Sequence, residues 1–150
     1  TTGHWSLVTG HCFVRTGPFA YNGRMIFRRP APAAPVEPAA VSVFKAFAGA
    51  LARHDWDAVA ARVGEEIDAR WRECGRNQRF HLREQYIMAW QVRLQGTDAL
   101  DFHNIFGDET RVAVEFTRRR LNGLSRLSGT MVCDVHEGLI VREFTHEVPV

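Results

Sequence analysis

Lysine is almost missing from this chain of 150 residues: Lys45 is the sole one among 19 basic side chains, the rest being arginine. With the many alanines, that skew reads as genome bias before it reads as function. Cysteine is scarce as well. Cys12, Cys74 and Cys133 are far apart and odd in number, so no disulfide framework is implied and a reducing cytoplasm is the expected compartment. Cys133-x-x-His136 has a metal-like spacing, but no second pair completes a zinc site, and neither a metal nor a cofactor is expected. No apolar run approaches the roughly 20 residues of a membrane span, and no basic stretch followed by an apolar one opens the chain. A membrane partner is therefore not expected, and no signal peptide is visible, a cleaved one being the open alternative. A net charge of +2, with dispersed arginines nearly matched by acidic residues, does not call for nucleic acid. G-x-S-x-G, G-x-G-x-x-G and Walker patterns are absent, which leaves serine-hydrolase, dinucleotide and P-loop chemistry without support.

What is there is an ordinary globular composition, 45% hydrophobic and 24% charged, which excludes disorder of the whole chain. The length suits one domain with a substantial core. Four prolines between Pro30 and Pro38 remove backbone donors and favour extended geometry, marking 30–40 as a linker. Before it, 1–29 is an N-terminal extension of strand-like composition. Asn22-Gly23, between Phe19-Ala20-Tyr21 and Arg24-Met25-Ile26-Phe27, signals a two-residue hairpin. A lone hairpin is marginal in water, so it is expected to pack on the body or on a second subunit. A start at Met25, with 1–24 an upstream extension, is the other reading.

The body, 41–150, opens with helical spacing. Phe44, Phe47, Ala48 and Leu51 share one face, then Asp55 is a natural N-cap for Trp56, Val59, Ala60 and Val63, ended by Gly64. Ile67, Ala69 and Trp71 alternate as a strand. A long helix is expected over roughly 78–94, with Leu82, Tyr86, Ala89, Trp90 and Arg93 on one stripe and His81 helping to cap it. Alternation then continues through Leu100 and Phe102, through Val112 to Arg118, through Met131 to Val135, and from Leu139 to Val148. Turns are marked by Gly107-Asp108, Asn122-Gly123 and Glu137-Gly138. The expected order is α-α-β-α-β-β-β-β, an α+β fold with a mostly antiparallel sheet.

Two stretches carry a family resemblance. Phe44 to Val59, with His54-Asp55-Trp56-Asp57 between two helices, resembles the "helix, polar break, D-x-D, helix" opening of the nuclear transport factor 2-like superfamily. Cys133 to Glu143, with Glu137-Gly138 before Leu139-Ile140-Val141, is similar to its closing strand, acidic-Gly turn and strand. The group includes ketosteroid isomerases, SnoaL-like polyketide cyclases and limonene epoxide hydrolases, and the likeness covers about 41–148. It implies a curved sheet wrapped round the long helix as a barrel-like cone with an internal pocket. The convex face is then expected to form a homodimer contact. Function on such a scaffold rests on the residues lining the cone.

Aligned on those anchors, the isomerase's phenolic acid falls at Phe47, its general base near Trp71 and its second acid near Met131. None of these side chains exchanges a proton at neutral pH, which argues against that particular chemistry. The cyclase aspartate falls at about Thr145. Strand parity keeps another set in register. If Val112, Val114 and Phe116 face inward, so does Arg118; if Thr145 does, so do Glu143 and Glu147, while His103 and His146 point outward. Glu143 as acid or base, Tyr86 as hydroxyl donor and Arg118 as countercharge to an enolate or carboxylate make one workable constellation. Trp71, Phe47, Trp90, Met131 and Thr145 would line the substrate pocket. Each has a structural reading beside it: core for Tyr86 and Trp71, a solvated strand end for Arg118 in Arg118-Arg119-Arg120, a satisfied strand residue for Glu143. The expected function is a cofactor-free acid/base enzyme, of cyclase, isomerase, dehydratase or epoxide-hydrolase kind, on an apolar small molecule. A binding module without turnover, or a dimeric association domain with a filled cone, are the alternatives.

Overall fold

The structure, a computed structural model, describes residues 35–121, 123 and 125–150, with the backbone of 20–21 and 24–25. The chain divides into two units, Thr1–Pro35 and Val36–Val150. In the first, β1 (Ala20–Tyr21) pairs antiparallel with β2 (Arg24–Met25), matching the expected hairpin register. The turn residues 22–23, the flanking Phe19, Ile26 and Phe27, and linker residues 30–34 lie outside the described residues.

In the second unit, α1 (Ala39–Ala52) begins two residues inside the segment read as linker. It buries Phe44, Phe47 and Leu51, as its spacing requires. Asp55 caps α2 (Trp56–Ala60) by accepting from the Ala58 amide at 3.1 Å. The second helix ends at Ala60, short of Gly64. Val63 and Gly64 already belong to β3 (Val63–Glu73). A Cβ on Gly64 would meet the Glu66 carbonyl at 2.9 Å, so the glycine serves a close backbone approach rather than a helix stop.

The largest departure from expectation is β4 (Arg76–Leu82), a strand where the helix was expected to begin. Cys74 and Gly75, at φ 48° and 84°, turn β3 back on itself, and Arg70↔Arg79 and Trp71↔Gln78 pair antiparallel. An exposed edge strand buries no face, so its residues need not alternate, and Phe80 alone is half-buried. His81 accordingly sits in β4 and caps nothing. The helix, α3 (Arg83–Gln95), starts behind Leu82 with no side-chain cap. It buries Tyr86, Trp90, Arg93 and Leu94, whereas Leu82 is 47% exposed.

Four strands complete the sheet: β5 (Thr97–Gly107), β6 (Arg111–Arg120), β7 (Arg126–His136) and β8 (Leu139–Pro149). The order is β4-β3-β8-β7-β6-β5, antiparallel throughout except for parallel β3–β8, and the sheet is open rather than closed. Glu137 and Gly138, at φ 50° and 78°, form the β7–β8 turn. The inward faces of β3, β8, β7 and β6 line up in rows across the sheet. Ala69, Glu143, Cys133 and Val112 form one, Trp71, Thr145, Met131 and Val114 the next, and Glu73, Glu147, Gly129 and Phe116 the third. Parity therefore works as expected, with His103 and His146 exposed outside. Cys133 is buried and His136 exposed on opposite parity, so the two do not converge.

Candidate functional site: a buried carboxyl cluster beneath an arginine-lined cleft

Aromatic rings pack the core between the helices and the sheet. Phe44, Phe47, Tyr86 and Trp90 are fully buried and Trp71 nearly so. Trp71 meets Phe80, Tyr86 and Trp90 edge-on at centroid distances of 4.8, 5.9 and 5.1 Å. Edge-to-face contacts of this kind add stability beyond the area they bury.

Beneath Trp71 lies Glu143, with no solvent exposure. Its Oε1 accepts from the Trp71 indole N–H at 2.6 Å and from the Thr145 hydroxyl at 2.6 Å, and its Oε2 accepts from the Tyr86 hydroxyl. The row pattern explains the meeting: Trp71 and Thr145 are register partners, and Glu143 is two residues before Thr145 on the same face. Burial pushes the Glu143 carboxyl above its ordinary value. Bonds from Thr145, Tyr86 and Trp71 and the Arg93 charge pull the other way without cancelling it. Burial, and then the Glu143 charge, push the Tyr86 hydroxyl well above the usual phenol value and do the same to the Cys133 thiol.

A second polar cluster stands at the end of the third row. Glu73 and Glu147 are neighbours there, and like charges side by side repel. Arg118 resolves this by donating from Nη2 to Glu73 at 2.6 Å and to Glu147 at 2.8 Å. Arg120 adds a bond to Glu73 at 2.8 Å, and Arg93 donates to Glu147 from α3. Burial works to raise the Glu73 carboxyl, but the charges of Arg118 and Arg93 and the bonds from Arg118 and Arg120 leave it below its ordinary value. Burial likewise opposes the charge on Arg118, and Glu147 and Glu73 more than restore it.

Between β3, β4, α3 and the end of β6 opens a cleft of about 900 Å³. Trp71, Phe80, Leu82, Met88, Ala89 and Val92 supply its apolar walls, and Glu73, Arg93, Arg118 and Arg120 its polar end. Its size lies in the range of small-molecule sites.

The structure divides the residues singled out from sequence. Glu143, Tyr86, Thr145 and Trp71 come together in one hydrogen-bonded cluster. Phe47 and Trp90 pack on Tyr86, and Met131 is the β7 partner of Thr145. Of the whole set, Trp71 and Arg118 line the cleft. Arg118 bonds Glu147 and Glu73 rather than Glu143. Sequence reasoning put Arg93 on the helix stripe and Glu147 on the inward face without giving either a role. It missed Phe80, whose signal would have been a strand over 76–82, and Glu73, which continues the Ile67, Ala69, Trp71 alternation on β3.

No family model matches the sequence, and no curated protein matches it. Solved structures do. A steroid delta-isomerase from Pseudomonas aeruginosa is 21% identical with a TM-score of 0.62, over 77% of this chain and 84% of that one. An LEH-like epoxide hydrolase from M. tuberculosis is 21% identical with a TM-score of 0.59, over 73% and 83%. A nuclear transport factor 2-like protein of unknown function from Burkholderia xenovorans is 14% identical with a TM-score of 0.62, over 73% and 82%. At these identities the likeness speaks to the fold alone, and by its element order, its open curved sheet and these neighbours the chain has the nuclear transport factor 2-like fold.

Proposed function

We propose that the cleft binds an apolar small molecule and that Glu143 performs acid/base chemistry on it without a cofactor. The observation carrying this reading is that Trp71, which donates to Glu143, also forms a wall of the cleft. A carboxyl held in a dry site above its ordinary value is suited to take up and return a proton. Tyr86, kept protonated, is suited to donate a hydrogen bond to oxygen that gains negative charge. Glu143 is fully buried and outside the cleft lining, so a ligand reaches it only when neighbouring side chains move. Arg118 serves as a cleft charge rather than as a partner of Glu143.

The second reading, binding without turnover, is favoured by one fact: the Glu143, Tyr86 and Thr145 side chains lie outside the cleft lining. A thermal-shift screen with steroids, aromatic polyketides, terpenes and their epoxides tests the ligand. A compound at about 100 times its Kd adds about 2.7 kcal/mol, a shift of roughly 5–10 °C in a domain of this size. Turnover of the hits is then compared between the native chain and Glu143→Gln. Binding retained with turnover lost supports the acid/base role. Turnover that survives the substitution refutes it, and a flat screen refutes the ligand site.

A further inference from the structure

At the polar end of the cleft, three guanidinium groups share two carboxylates. Arg93, Arg118 and Arg120 stand against Glu73 and Glu147. Arg118 is well satisfied, with both carboxylates and a 3.5 Å contact to the Thr97 hydroxyl. Arg93 is not. Its Nη2 donates to Glu147, but Nε and Nη1 have no acceptor among the described residues, although both atoms are shut off from solvent. The residue is only 7% exposed and lines the cleft. Folded proteins rarely leave charged donors buried and unpaired, and such a group is a reason to look for a missing acceptor.

The aromatic neighbours hold this guanidinium without satisfying it. The rings of Trp71 and Trp90 lie 4.4 and 4.9 Å from its central carbon. A cation–π contact fixes the plane of the guanidinium but uses none of its in-plane N–H groups. Trp71 therefore touches two things at once, the unpaired Arg93 and the buried Glu143.

Resting on the reading of the cleft as a ligand site, we propose that its ligand is an apolar, ring-containing carboxylate and that Arg93 receives the carboxylate. The unpaired Nε–H and Nη1–H lie on different edges of the guanidinium, and either can give a carboxylate oxygen a charge-assisted hydrogen bond. The ring body lies along Phe80, Met88 and Val92, of which Met88 and Val92 are 63% and 64% exposed without a ligand. Arg93 is on this account a binding residue, and Glu143 keeps the chemistry.

Isothermal titration calorimetry on the full chain, with naphthylacetate and biphenylcarboxylate against their methyl esters, tests this. The acids are expected to bind at least about tenfold tighter than the esters, the scale of a hydrogen bond to a charged group. Arg93→Gln should bring the acids down to ester affinity and leave the esters unchanged, with Arg93→Lys in between. Val92→Glu, at an exposed position that does not threaten the fold, should weaken the acids more than the esters, which keeps the test open if the Arg93 variants do not fold. Acids and esters binding alike would overturn the anion inference while leaving the cleft as a ligand site. An acid preference that persists in Arg93→Gln would overturn the role of Arg93. If neither acids nor esters bind, the inference falls together with the reading beneath it.

Discussion

Replacing Glu143 by alanine strips the acceptor from three buried donors at once: the Trp71 indole, the Tyr86 hydroxyl and the Thr145 hydroxyl. Each buried donor left unpaired costs about 1–3 kcal/mol. The two hydroxyls can turn toward each other or toward water entering the vacated space, so they fall at the low end, and the indole cannot turn. The total comes to about 3–5 kcal/mol, or roughly 6–20 °C in Tm for a chain of this length. Glu143→Gln should cost less, about 1–3 kcal/mol at neutral pH, because its oxygen still accepts from Trp71 and Thr145 and the Tyr86 hydroxyl alone loses its acceptor. The two stabilities also separate with pH. Burial raises the folded-state carboxyl above its unfolded value. Its contribution is therefore fully present below the ordinary carboxylate value and is lost as pH rises through the raised folded value. Glutamine does not titrate, so the native chain should lose stability relative to Glu143→Gln across that window. Urea unfolding of all three proteins from acid to neutral pH measures both effects. Equal damage from alanine and glutamine, or a difference that grows in favour of the native chain as pH rises, would refute the reasoning.

Glu147→Ala should destabilise the chain by about 3–5 kcal/mol, since it leaves Arg93 and Arg118, each with a side chain only 4% exposed, without their shared carboxylate. A change below about 1 kcal/mol in urea unfolding would mean that solvent already screens the cluster. Gly129→Ala should cost about 1–3 kcal/mol by overpacking, because a Cβ there would sit 2.5 Å from the Phe116 ring and 2.9 Å from the His146 carbonyl. A neutral result in thermal unfolding would show that the Phe116 ring yields freely.

The sequence by itself determined what local periodicity and parity can carry. On β6, β7 and β8 one face is buried, so a single register decides every side chain, and Arg118, Thr145, Glu143 and Glu147 are inward for the same reason as Val114 and Met131. The first helix and the Asp55 cap were legible because a short span of chain holds the whole signal. Tertiary structure alone decided the rest. β4 lies at the sheet edge with no buried face, so nothing in 76–82 needed to alternate, and its turn is built by Cys74-Gly75 rather than by an asparagine-glycine pair. The start of α3 was hidden for a related reason, its Leu82 cap forming no side-chain bond. Which inward polar groups meet was equally invisible. Glu143 and Tyr86 are 57 residues apart, on a strand and a helix that only packing brings together, and the same packing sets the Arg93 guanidinium against the Trp71 and Trp90 rings. Whether the cone is hollow depends on how five ring-bearing side chains share one volume, a three-dimensional packing outcome that residue spacing does not encode.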